Sequence, residues 1–179
     1  MLQTPSKDSI FNSQLNSETA SQYFFYVALL NLVVGALITT LVLIPPLAIP
    51  IKVTVWPGTW MLVAYFGFMI AGVLGSFTWT GIYYLLPRLV NIRKVNRRIT
   101  LVQLFLYQIG VYGAVAIMGL VPGYEGGTLA IQGFGTFLIT RVIEWAVVPV
   151  GIFVGLAVLA TITGVANIVL SIQPGRKSV

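Results

Sequence analysis

The chain contains no cysteine and no histidine among its 179 residues. The first absence excludes disulfides, and the two together exclude zinc, iron–sulfur and haem sites held by Cys or His of this chain. The missing histidine also removes the commonest general base near neutral pH. Carboxylates are scarce as well: Asp8, Glu18, Glu125 and Glu144 are all there are. Acid–base catalysis therefore has few places to stand. Charge of either sign is short, at 8% of residues, against 58% hydrophobic. A soluble domain carries about 25% charged residues. So few charges cannot cover a water-facing surface, and the composition implies a chain dissolved mainly in a bilayer. The length allows one domain.

What is present is long apolar runs separated by short punctuation. No charge occurs between Glu18 and Lys52, or between Lys52 and Arg88. About 20 apolar residues cross the hydrocarbon core as a helix, and the runs predict four spans near 23–44, 60–86, 100–121 and 147–170. The fold class is an all-α integral membrane bundle: a polar tail over 1–22, one four-helix domain over 23–172, and a basic tail over 173–179. The tail before Tyr23 is rich in Ser, Asn and Gln, lacks the basic start and apolar run of a secretory signal, and is expected to turn helical after Asn16 or Ser17. Tyr23 to Tyr26 opens the first span with rings suited to the interface. Pro45-Pro46 ends it, and Ala48 to Pro57 makes a rigid crossing with Val53–Val55 as a brief extended piece. Residues 121–135, with Gly123, Gly126, Gly127 and Gly133 and the single charge Glu125, predict a turn-rich loop. They carry no Gly-Lys-Ser or G-x-G-x-x-G pattern for a phosphate. The run from Thr136 to Ile172 exceeds one simple span, and Pro149 predicts a kink within it.

Basic residues set the expected orientation. Arg88, Arg93, Lys94, Arg97 and Arg98 crowd the loop at 88–98, and Arg176 and Lys177 close the chain. Short loops rich in Lys and Arg stay cytoplasmic. Four spans put both termini on one side, so the loop, the N terminus and the C terminus are all expected on the cytoplasmic side of the cell membrane. The net charge of +6 is then a topology signal with an affinity for anionic lipids, and no nucleic acid is expected as a partner.

Candidate functional residues fall into three sets. Small residues at four-residue spacing give helix faces another helix can approach closely: Gly67, Ala71 and Gly75; Gly110 and Ala114; Gly151 and Gly155. Trp79, Tyr83, Tyr84 and Arg88 form either an interfacial belt or a contact for a lipid or quinone headgroup at a subunit interface. Arg141 and Glu144, three apart on one helix, are the one candidate ion pair at membrane depth. The alternative is that they sit at the outer interface. Gln103 lies near the end of its span; Gln108 is deeper and is expected to face protein.

The phrase Gly81-Ile-Tyr-Tyr-Leu-Leu-Pro-Arg-Leu89, the basic turn after it, and Thr100-Leu-Val-Gln-Leu-Phe-Leu-Tyr-Gln-Ile-Gly110 resemble subunit I of the haem–copper oxidase and nitric oxide reductase superfamily. The resemblance covers residues 57–115. That family holds haem and copper with histidines on a catalytic subunit of many more spans. Here the start of the second span reads Pro57-Gly-Thr-Trp-Met61, so no haem or metal ligand carries over and no catalytic, cofactor or metal residue is assigned. The resemblance implies a non-catalytic accessory subunit of a larger membrane redox complex, first a terminal oxidase of the respiratory chain, that packs against and stabilises the catalytic subunit. A copper-dependent membrane monooxygenase is an alternative host. Of another class are a small homo-oligomeric transporter or channel, for which no filter sequence or inverted repeat speaks, and a lipid-active enzyme resting on Glu144.

Overall fold

A computed structural model describes residues 14–43 and 56–172. The expected extended piece at Val53–Val55, most of the crossing loop, the start of the polar tail and the basic tail after Ile172 lie outside the described residues. Strand β1 (Gln14–Asn16) leads into α1 (Ser17–Leu43). The second long helix is built of α2 (Thr59–Gly67), a π-helical segment (Phe68–Leu74) and α3 (Gly75–Leu89). After β2 (Lys94–Asn96) come α4 (Arg97–Met118), a second π-helical segment (Gly119–Glu125) and α5 (Gly126–Ile131). Helix α6 (Thr136–Ile172) runs unbroken through Pro149. Four helices are thus long and apolar enough to cross a membrane: Ser17–Leu41, Thr59–Leu89, Arg97–Ile131 and Thr136–Ile172.

Local chemistry explains the ends. Asn16 Oδ1 accepts the Glu18 amide at 3.3 Å, and Glu18 lies in the first turn of α1, where a carboxylate complements the helix dipole. Helix α1 is described as far as Leu43, and Pro45-Pro46, expected to end it, lies outside the described residues. Asn96 caps α4, its side chain accepting from Arg98 N and Ile99 N at 3.0 and 3.3 Å. The turn between α5 and α6 uses Gly133 at φ +77°, a backbone region glycine enters without steric cost.

Two features depart from the sequence reading. The bundle carries a small antiparallel ribbon, in which Gln14, Leu15 and Asn16 pair with Asn96, Val95 and Lys94. The end of the polar tail is therefore ordered, with Leu15 and Val95 buried. The expected loop at 121–135 is instead mostly helix, through the π segment and α5. Pro122 lacks the N–H an α-helix needs, and its ring crowds the carbonyl four residues back. The wider π turn accommodates it. Gly123 and Gly126 serve contact rather than turning: a Cβ would lie 2.8 Å from the Met61 backbone nitrogen at Gly123 and 3.0 Å from the Pro57 ring at Gly126.

Packing joins α1 to α3 and α4 to α6, with the second span lying on the third. Phe24, Trp79 and Tyr83 form an aromatic knot with centroids 5.4–6.2 Å apart. The interior is polar in places: Asn31, Ser76, Thr100, Gln103 and Asn167 are all buried. The exterior is apolar, with Leu30, Val33, Leu37, Phe105, Val148 and Ile152 more than half exposed. Exposed apolar area on this scale is an aggregation hazard in water and is the expected surface in lipid.

Candidate functional site

The most elaborate constellation is a hydrogen-bond network across the first three spans. Asn31 Nδ2 donates to the Gly72 carbonyl (2.8 Å), to Ser76 Oγ (3.0 Å) and toward Gln108 Oε1 (3.1 Å). Tyr112 Oη donates to Asn31 Oδ1 at 2.8 Å, and Gln108 Nε2 to Ser76 Oγ at 3.2 Å. Close by, Tyr107 Oη donates to the Ala71 carbonyl at 2.7 Å. The reason lies in the π segment. Its wider turn, in which the Gly75 amide reaches back to Ile70 O, disturbs the regular carbonyl ladder. In lipid a carbonyl so released must find a partner inside the protein. Asn31 and Tyr107 provide one for Gly72 and Ala71.

A second polar group lies toward the ribbon. Tyr83 Oη donates to Gln103 Oε1 at 2.6 Å. Asn167, on α6, accepts from the Asn96 amide at 3.1 Å and donates to Thr100 Oγ at 2.9 Å. The fourth helix is thus tied to the ribbon and to the third helix by one side chain. Gln103 Nε2 is buried and, among the described residues, has no hydrogen-bond partner. It lies against Gly164, where an added Cβ would collide with it and with the Trp79 ring.

Helices two, three and four also line a half-open apolar cavity of about 460 Å³, walled in part by Gly67, Ala71, Tyr107, Ala114, Ala157 and Thr161. A polar hollow of about 720 Å³ lies at the ribbon end. At the other end, Glu125, Arg141 and Trp145 share a shallow cleft of about 340 Å³.

The small-residue faces divide. Gly110 packs hard against α6, where a Cβ would be 2.6 Å from Ala157 N and 2.7 Å from Phe153 O. Gly75 abuts the Tyr107 hydroxyl. Gly67 would meet nothing within 4 Å, and it shares the cavity wall with Ala71 and Ala114. Ala71 and Gly75 both meet Tyr107 of the third span, and a π segment separates Gly67 from Gly75. Gly151 and Gly155 are exposed, with nothing within 4 Å of either.

The aromatic set divides too. Trp79 and Tyr83 are core residues, not surface ones. Tyr84 and Arg88 face outward, with the guanidinium 3.8 Å above the Tyr84 ring centroid. Arg141 and Glu144 are both exposed, and the Arg141 guanidinium lies 5.1 Å from the Phe137 ring centroid. Arg141 is 31 residues from Ile172, about 46 Å along a helix axis, which exceeds a hydrocarbon core of about 30 Å. Trp145, 69% exposed, lies between them as an interfacial ring would. Among the described residues no three His, Cys, Asp or Glu side chains gather as metal ligands would.

Sequence reasoning placed Gln108 against protein and left Asn31, Ser76, Tyr107, Tyr112 and Asn167 unassigned. A signal existed for the two asparagines, each a lone amide within an apolar run, where a polar group needs an internal partner. The π segments had none, because they depend on how neighbouring helices meet. Compared with known proteins, the chain matches no family model, and no curated protein or solved structure matches it significantly.

Proposed function

We propose that this chain is a non-catalytic, multi-pass subunit of a larger membrane complex, docking on its partner through the open glycine face of α6. The observation that carries the reading is Gly151 and Gly155, four residues apart on a 37-residue helix, exposed and with nothing within 4 Å. A GxxxG face lets two backbones approach closely in lipid. Within the chain that opportunity goes unused, whereas the comparable Gly110 is filled by α6. The interior supports a scaffold role. Its network consists of neutral amides and hydroxyls that satisfy one another and two π-segment carbonyls, which rigidifies a bundle.

The resemblance of residues 57–115 to an oxidase core makes a respiratory redox complex of the terminal-oxidase kind the first candidate host. By the same reading the ribbon end, with Arg88, Arg93, Lys94, Arg97 and Arg98, faces the cytoplasm. Mild solubilisation from the native membrane tests this. The wild-type chain is expected to co-purify with a larger haem-bearing subunit. The Gly151→Leu/Gly155→Leu variant is expected to fold and run free of it. A wild-type chain that runs as a stable monomer with no redox partner refutes the proposal, and ion flux through liposomes holding this chain alone favours a homo-oligomeric channel instead.

A further inference from the structure

At the ribbon end, the pairing of β1 with β2 gathers two distant pieces of sequence around one hollow. Gln14 and Asn16 come from β1, Glu18 from the first turn of α1, Arg88 from the last turn of α3, Arg93 from the approach to β2 and Lys94 from β2 itself. Three cations face one carboxylate, a local excess of 3 − 1 = +2. Two side-chain amides add N–H donors. The Arg88 guanidinium carbon lies 3.8 Å above the Tyr84 ring centroid, a cation–π contact that holds it at the rim of the hollow, and a guanidinium carries N–H donors suited to an oxyanion. The wall also includes the opening turn of α1, whose dipole favours negative charge. The hollow itself depends on hydrogen bonds of the backbone: Ser17 N donates to Arg93 O at 3.0 Å, beside the ribbon pairs. Next to Arg88 the surface turns apolar, with Tyr84, Leu85, Leu89 and Val90 all exposed and Leu89 at 75%. The mouth thus lies at the boundary of an apolar helix surface and a cationic recess.

We propose that this hollow binds a phosphate group, carried by an anionic phospholipid whose acyl chains lie along the Tyr84–Val90 face. The phosphate sits among Arg88, Arg93 and Lys94, bound by charge-assisted hydrogen bonds, and Glu18 limits the affinity by facing the same anion. This site is independent of the α6 docking face and stands whether or not the chain has a protein partner.

Native mass spectrometry of the full chain in a neutral detergent, titrated with dioleoyl phosphatidylglycerol, tests the site. A juxtamembrane cation contributes about fivefold to anionic-lipid binding. Arg93→Gln/Lys94→Gln should therefore weaken the tightest lipid by roughly 25-fold. Arg97→Gln/Arg98→Gln removes the same charge from side chains that do not line the hollow and should weaken it clearly less. Glu18→Gln should tighten it, an effect that a merely structural Glu18 would not produce. All five side chains are exposed, so the substitutions leave the core untouched. Inorganic phosphate is the second probe. If it displaces the lipid, the recess recognises phosphate as such; if it does not, the acyl face is needed and the ligand is the intact phospholipid. Both outcomes keep the site. Equal weakening by the two double variants, or phosphatidylcholine binding as tightly as phosphatidylglycerol, overturns it.

Discussion

Replacing Gly110 by alanine adds one methyl group where α4 packs against the backbone of α6. The new Cβ lands 2.6 Å from Ala157 N, 2.7 Å from Phe153 O and 2.9 Å from Ala157 Cβ. Ordinary van der Waals contact begins near 3.4 Å, so α4 and α6 must part by 3.4 − 2.6 = 0.8 Å. Two of the three atoms belong to the α6 backbone, so no rotamer change relieves the clash. A gap of that size forfeits roughly a quarter to a half of each dispersion well along the seam. Overpacking of this kind costs about 1–3 kcal/mol, and a backbone obstacle puts it at the upper end. Alanine's better helix propensity returns about 1 kcal/mol, leaving a net loss of about 2 kcal/mol. Gly155→Ala is the matched control, because its Cβ meets nothing within 4 Å. Propensity alone then acts, and the variant should equal the wild type or exceed it by up to about 1 kcal/mol. Unfolding in mixed dodecylmaltoside–SDS micelles, followed by circular dichroism and tryptophan fluorescence, separates the two. Wild-type stability in Gly110→Ala, or equal losses in both variants, would refute the reasoning.

Three further outcomes follow from the geometry. Asn31→Leu removes a buried amide from the network at Gly72, Ser76, Gln108 and Tyr112; at about 0.6 kcal/mol per interhelical bond in lipid, the same unfolding assay should show a loss of about 2 kcal/mol. Asn96→Ala deletes the cap of α4 and should lower stability by about 1 kcal/mol, with faster hydrogen exchange at the Arg98 and Ile99 amides as its signature. The chain has no cysteine, so Asn16→Cys/Lys94→Cys can be read on a clean background. These positions face each other in the ribbon, within the reach of a disulfide. Mild oxidation should bridge them, and should leave Asn16→Cys/Arg98→Cys largely unbridged; equal rates would contradict the register.

How much of this was legible beforehand depends on the range of the cause. Hydropathy acts locally, so the apolar runs located four long helices. The 121–135 segment misled because its glycines and Pro122 read as turn formers. Their use is tertiary: Gly123 and Gly126 admit Met61 of α2 and Pro57 just before it. Spacing alone made Gly67, Ala71 and Gly75 one stripe, yet the π segment between them changes the turn. No feature of Phe68–Leu74 announces a π segment, since its carbonyls are met by residues far away in sequence. The candidate surfaces were half visible. Arg88 and Tyr84 were recognised, but the hollow beside them needs β1 to return to β2, a pairing that three-residue strands do not advertise.

The ribbon also bears on how the chain is made. Asn16 leaves the ribosome 94 − 16 = 78 residues before its partner Lys94. At about 5–20 residues per second, β1 waits roughly 4–16 s for its mate, while two complete apolar helices are synthesised between them. Asn167, which binds Asn96, arrives another 167 − 96 = 71 residues later. The ribbon end is therefore fastened in two instalments, first to the opening pair of helices and then to the last. A chain halted after α3 has no β2, so β1 is left as an open strand edge, available to any factor that handles half-made membrane proteins.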